Sequence, residues 1–146
     1  MIGRRGPREV GLSVKVNVVD PITFGVRRRV KGFFQFRQKD PFAVHLTFFD
    51  KKPVPWCFAR ELLVGGTTMP EGVGHGDITI WPIPWDDYQS FVGMIVGNGP
   101  GATTMTMRMK PIRNFIRAMD RIVPLDRASD GIDIDKELAW IQDKLF

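Results

Sequence analysis

The chain has one cysteine, one tyrosine and two histidines among 146 residues. A lone Cys57 excludes an internal disulfide. Cys57, His45 and His75 are scattered, without the paired ligand spacing of a zinc site, and no cofactor is expected. No apolar run approaches the roughly 20 residues of a membrane-spanning helix, so any membrane association is indirect or superficial. The opening MIGRRGPREVG has basic residues with no apolar segment behind them, and we expect a cytoplasmic protein. Acids are scarce in one region only. Residues 1–39 hold ten Lys and Arg against Glu9 and Asp20, a local charge of +8 within a net +5. The basic character is therefore a property of the N-terminal quarter.

What is present suits one globular domain. The chain is 43% hydrophobic and 25% charged, with 11 Phe and 4 Trp as bulky core material. A chain of this length buries about 68–70% of the surface it would expose unfolded. Residues 1–11, rich in Arg and Gly, have no periodicity and read as a flexible basic arm, which leaves 12–146 as the folded domain. In LSVKVNVV, Leu12, Val14, Val16 and Val18 alternate with polar residues, the mark of a half-buried strand. After the turn DPIT, residues 24–38 form a strand in which Arg27, Arg29 and Lys31 share a face, with a bulge expected at Gly32. Phe42, Val44, Leu46 and Phe48 make the core stripe of the next strand. VPWCF continues the alternation with two prolines, which suits an edge.

ARELLVGG predicts one to two helical turns closed by Gly65 and Gly66, with Leu62 and Leu63 turned inward. A loop, TTMPEGVGHG, precedes three strands, DITIWPI, SFVGMIVG and ATTMTMRMK. The period then lengthens to that of a helix. Pro111 suits a first turn, and Ile112, Phe115, Ile116, Met119 and Ile122 form an apolar stripe opposite Arg113, Arg117 and Arg121. A second C-terminal helix is expected from Ile134, Leu138, Ile141 and Leu145. The fold class is thus α+β: about seven mostly antiparallel strands with a short helical insertion and two C-terminal helices.

Sites for chemistry are few. A Cys57–histidine pair would need an orienting third group and an oxyanion site; the competing expectation is a strand histidine and a buried Cys57 packed behind Trp56. GVGHGD lacks the strand–loop–helix context of a phosphate cradle and reads as a flexible connection. Asp86 and Asp87 are turn formers. Met105, Met107 and Met109 suit a core face or an adaptable binding face. Trp81, Trp85 and Phe91 exceed what one small core hides and would serve an oligomer interface. Arg27, Arg28, Arg29, Lys31, Arg37 and Lys39, interleaved with Phe33, Phe34 and Phe36, have the composition of a single-stranded nucleic-acid groove, or of a solvated strand edge kept soluble by charge.

Four separated stretches, DPFAVHLTF, WCFARELL, GDITIWP and IDIDKELAWI, stand in the order and spacing found in the SsgA-like proteins, sporulation and cell-division regulators of filamentous actinobacteria. The chain resembles that family, its SsgB-like members above all. The resemblance implies a non-enzymatic protein with a fold similar to the Whirly single-stranded nucleic-acid-binding domains, assembled as a homotrimer. It implies SsgA-type proteins and the tubulin-like FtsZ as partners, at the septum. On this reading residues 40–66 are architecture. Arg27, Arg28, Arg29, Lys31, Trp56, Arg60, Trp81 and Trp85 are the candidate partner or oligomer contacts, and none is catalytic.

Overall fold

A computed structural model describes residues 2–5, 8–84 and 90–125. Trp85, the Asp86–Asp87 turn and the helix expected over 134–145 lie outside them. Within them the chain runs through four antiparallel strands and a helix, twice. The first unit is β2 (Glu9–Val19), β3 (Val26–Arg37), β4 (Ala43–Phe49), β5 (Pro53–Ala59) and α1 (Arg60–Thr68). The second is β6 (Val73–His75), β7 (Ile78–Pro84), β8 (Ser90–Val96), β9 (Thr103–Arg108) and α2 (Met109–Ile122). A short β1 (Ile2–Arg5) precedes them. All pairings are antiparallel, in the order β5-β4-β3-β2-β9-β8-β7-β6, with β1 also on β2. Among the described residues this gives nine strands where the sequence suggests about seven. The extra ones are β1 and three-residue β6, too short to show a period.

Alternation builds the core. Val10, Leu12, Val14, Val16 and Val18 of β2 are buried on one face, joined by Phe34 and Phe36 of β3 and Val44, Leu46 and Phe48 of β4. The second unit adds Ile78, Ile80, Val92, Met94, Met105 and Met107, which resolves the methionine stripe as core. Leu62 and Leu63 of α1 and Ile112, Phe115 and Met119 of α2 close the same cluster. Phe115 meets Phe34 with ring centroids 5.7 Å apart and tilted, tying α2 to β3. Burial on one face across eight strands requires the sheet to curl. Its two ends, β5 and β6, border a common groove of about 550 Å³ lined by Trp56, Phe58, Leu62, Val73 and Ile78.

The structure corrects several expectations. The bulge falls at Val18–Val19, where the β2–β3 register shifts, and it lets two successive valines both be buried. Gly32 pairs in register and faces inward between Val14 and Val16. Phe42 precedes β4, its carbonyl accepting the Arg60 backbone N–H at 2.7 Å, and its side chain is 46% exposed, outside the core stripe. α1 does not stop at Gly65–Gly66 but continues to Thr68. A Cβ on Gly66 would lie 2.4 Å from Ile80 Cβ, so this glycine lets the helix approach the sheet and is no terminator. Thr67 and Thr68 close the last turn with hydroxyls donating to the Leu63 and Val64 carbonyls. β2 begins at Glu9 instead of Leu12, because Glu9, Val10 and Gly11 pair with Arg37, Phe36 and Gln35. Nearby, the Arg8 guanidinium donates to the Arg121 and Ile122 carbonyls, at the end of α2 where carbonyls lack helical partners and a cation is favoured.

Candidate interaction surface

Pairing of β2, β3 and β4 sorts the basic residues by face. Arg29 and Lys31 share the outer face, away from the core, whereas Arg27, expected beside them, is the residue that the bulge leaves unpaired. The register sets Lys15 directly opposite Lys31, Asn17 opposite Arg29, and Phe49 opposite Lys31 on the other side. Lys15, Arg29, Lys31 and the exposed Phe49 border a shallow depression of about 650 Å³. Arg29 Nε donates to Asn17 Oδ1 at 3.3 Å, and among the described residues none of these three cations has an acidic partner. Other arginines of the region are neutralised. Arg27 pairs with Asp20 at 2.7 Å, Arg28 with Asp50 at 2.9 Å and Arg37 with Glu9 at 3.5 Å. Sequence reasoning missed Lys15 and Phe49 as parts of this strip. Counting back from the Val19–Val26 pair at the DPIT turn would have set 15 opposite 30, and the bulge in between moves the partner by one to 31.

The aromatics expected to complete a nucleic-acid groove, Phe33, Phe34 and Phe36, are engaged within the fold. Phe34 and Phe36 are fully buried, and Phe33 lies over Gly11, where an added Cβ would meet its ring Cζ at 2.6 Å. Trp81 is half-buried across Gly93, its register partner, whose lack of a side chain makes room for the indole. Trp56 is half-buried and points inward with Phe58. It borders both the groove between the sheet ends and a smaller cavity of about 160 Å³ at the end near Arg28 and Asp50.

Arg60 is 2% exposed, which leaves it no surface for a partner. Its guanidinium lies 4.9 Å from the Phe36 ring centre, donates weakly to the Pro41 carbonyl at 3.5 Å, and stands 3.8 Å from Asp120. Its Nε has no hydrogen-bond partner. Burial pushes its pKa down against the opposing pull of Asp120, from a value so high that the group stays charged.

Cys57 is exposed on the outer side of edge strand β5, contrary to the buried position expected behind Trp56. Cys57 shares the parity of Pro53 and Pro55 and is opposite in parity to Trp56 and buried Phe58, so its side chain takes the other face of the strand. His45 is its register partner, and His45 Nε2 stands 3.5 Å from Asp40 Oδ2. Cysteine, histidine and acid thus come together on an open sheet surface. Desolvation, then the charge of Asp40, raises the thiol pKa, the opposite of what an activated nucleophile needs. No cluster suited to a metal occurs among the described residues.

What this geometry offers among the described residues is a contact surface, a cationic strip edged by an exposed phenylalanine on a curled antiparallel sheet. The comparisons place that scaffold. Residues 30–128 match the family model described as Streptomyces sporulation and cell division protein, SsgA, and the chain belongs to this family. It is 32% identical to the sporulation-specific cell division protein SsgB of Thermobifida fusca over 133 residues, 90% of each chain. Against SsgB of Streptomyces coelicolor the identity is 32% over 114 residues, covering 77% of this chain and 81% of that one. A crystal structure of an SsgA-like sporulation-specific cell division protein from Thermobifida fusca superimposes with a TM-score of 0.76 at 28% identity, over 90% of this chain and 93% of the other.

Proposed function

We propose that the chain is a non-enzymatic regulator of sporulation and cell division that positions the septum by recruiting FtsZ through protein–protein contacts. The observation that carries this reading is the match, along nine-tenths of both chains, to a sporulation-specific cell division protein. The resemblance supplies FtsZ and SsgA-type proteins as partners, a homotrimer as the assembly and the cytoplasmic side of the septum as the place. The Lys15–Arg29–Lys31 strip beside Phe49 supports an acidic protein partner, because unneutralised charge at a sheet surface speeds and orients association with the opposite sign. Half-buried Trp56 and Trp81 are the contacts proposed for the oligomer. The purified protein should co-sediment with FtsZ polymers, and a fluorescent fusion should mark septa in sporulating cells. Failure of both would refute the reading.

The second reading is a single-stranded nucleic-acid-binding module. The cationic strip favours it, together with the Whirly-like fold that the resemblance implies. Engagement of Phe33, Phe34 and Phe36 within the fold weighs against it, since bases would find no stacking platform there. Oligonucleotide binding that falls steeply with salt would support this reading over the first, and no binding at low salt would exclude it.

A further inference from the structure

The exposed large apolar side chains are not spread evenly. Seven occur among the described residues, and five of them, Ile22, Phe24, Val26, Phe49 and Val54, lie at one end of the first four-stranded unit. The register shows why they meet: Val19 pairs with Val26 across one turn and Phe49 with Pro53 across the next, while Lys31 pairs with Phe49. The two turns, 20–25 and 50–52, therefore project from the same end of the sheet. The Arg28–Asp50 ion pair joins them.

The order of side chains along this end is layered. Ile22, at the tip of the first turn, is 89% exposed. The tip is a built turn: the Asp20 carboxylate accepts the Ile22 and Thr23 backbone N–H groups, and the Phe24 N–H returns to the Asp20 carbonyl. Behind the apolar tip stands a collar of Arg27, Arg28, Arg29, Lys51 and Lys52, all exposed. Among the described residues its acids are Asp20 and Asp50, each already bonded to an arginine, and the collar they form with the five cations carries a net charge of +3. An aliphatic tip followed by a cationic ring reproduces the depth profile of an anionic bilayer, acyl chains inside and phosphates outside. Protein-binding patches are instead typically flat or concave, with apolar groups at the centre of a polar rim.

We propose that this two-turn end is a docking surface for an anionic lipid bilayer, with Ile22 and Phe24 entering the acyl boundary and the collar meeting the phosphates. This goes beyond the division reading and does not depend on FtsZ. The full chain should float with vesicles of phosphatidylcholine carrying about 30 mol% phosphatidylglycerol and not with phosphatidylcholine alone. Each basic residue near such a surface is worth about fivefold in partitioning. The variant Lys51→Glu/Lys52→Glu should therefore lose about 25-fold or more, and Ile22→Asp about tenfold or more. All three positions are exposed, and thermal melts of the variants should match that of the wild type. Arg113→Glu/Arg117→Glu on the exposed face of α2 should float as the wild type does. The wild type gives a reading that needs no variant, because its flotation should fall as salt rises. The proposal is overturned by absence of flotation at low salt, by a flat salt response, or by flotation that survives both the tip variant Ile22→Asp and the collar variant Lys51→Glu/Lys52→Glu. It is also overturned if oligothymidylate displaces the protein from vesicles and loses its own binding on Ile22→Asp, which would make this end a nucleic-acid surface.

Discussion

Replacing Gly66 with alanine should destabilise the fold, whereas the same replacement one residue earlier should not. At Gly66 the new Cβ would lie 2.4 Å from Ile80 Cβ, 2.5 Å from its Cγ2 and 3.0 Å from its carbonyl oxygen. Carbon contacts relax near 3.5–4.0 Å. Ile80 is fully buried and part of the obstruction is backbone, so α1 as a whole must move away from β7. Overpacking costs about 1–3 kcal/mol, and an obstruction that is partly backbone puts this site in the upper part of that range, about 2–3 kcal/mol. Alanine returns about 1 kcal/mol as the better helix former, leaving a net loss of about 1–2 kcal/mol and a Tm lower by about 3–6 °C for a chain of this size. At Gly65 the Cβ would meet Val73 Cγ1 at 3.3 Å, a side-chain atom on the three-residue β6 that can give by a few tenths of an ångström. There the helix propensity is kept, and Tm should hold or rise by up to about 3 °C. Thermal and urea melts at one protein concentration decide the matter, with an unchanged m-value confirming that the comparison concerns stability. Gly66→Ala as stable as the wild type would refute the reasoning. Equal losses at both positions would mean that the glycine pair terminates the helix after all.

Three further outcomes are expected. Lys31→Glu should raise Tm by about 1–3 °C at low salt, because it replaces a like-charge cross-strand pair with Lys15 by an opposite one, and the gain should fade as salt is added; a loss of stability would contradict the register. Arg60→Met should hold or gain stability, since it keeps a long side chain against Phe36 and removes a buried, incompletely bonded charge, leaving Asp120, 62% exposed, in water; Arg60→Ala should lose about 2–4 kcal/mol from the cavity, and equal losses in urea melts would argue that the charge itself is required. The Asp20 carboxyl is held down to about 2 by the Thr23 and Ile22 N–H groups and Arg27. Because that lies below the ordinary 3.8, its contribution is complete above about pH 4 and lost as pH falls through about 2. The stability gap between wild type and Asp20→Asn should shrink over that window, and a constant gap would refute the linkage.

Much of the fold was legible because burial on one face writes a period of two into each strand. LSVKVNVV, DITIWPI and the methionine stripe all take the faces their alternation predicts, and the apolar stripe of residues 112–122 is the buried face of α2. Cues that depend on a distant neighbour misled. GG after a short helix reads as a stop, but its meaning here comes from Ile80, fourteen residues on. Phe42 continues an apolar alternation one residue beyond the ladder and turns to solvent. Cys57 next to Trp56 reads as buried, yet neighbours in a strand face opposite ways, and it is Trp56 that faces the core. The candidate surface was only half legible. The arginine run was plain in the sequence, whereas the acids that neutralise Arg27, Arg28 and Arg37 lie 7 to 28 residues away and were assigned only by pairing.

The order of residues alone determined a single antiparallel α+β scaffold, its core stripes and the concentration of positive charge in the first quarter, because each is a property of local spacing or composition. The tertiary structure decided which cations stay unneutralised, which aromatics are taken into the packing and which apolar side chains meet at one end. Those depend on strand register, and register is set by the fit of the whole buried face, one bulge included, which no single segment encodes.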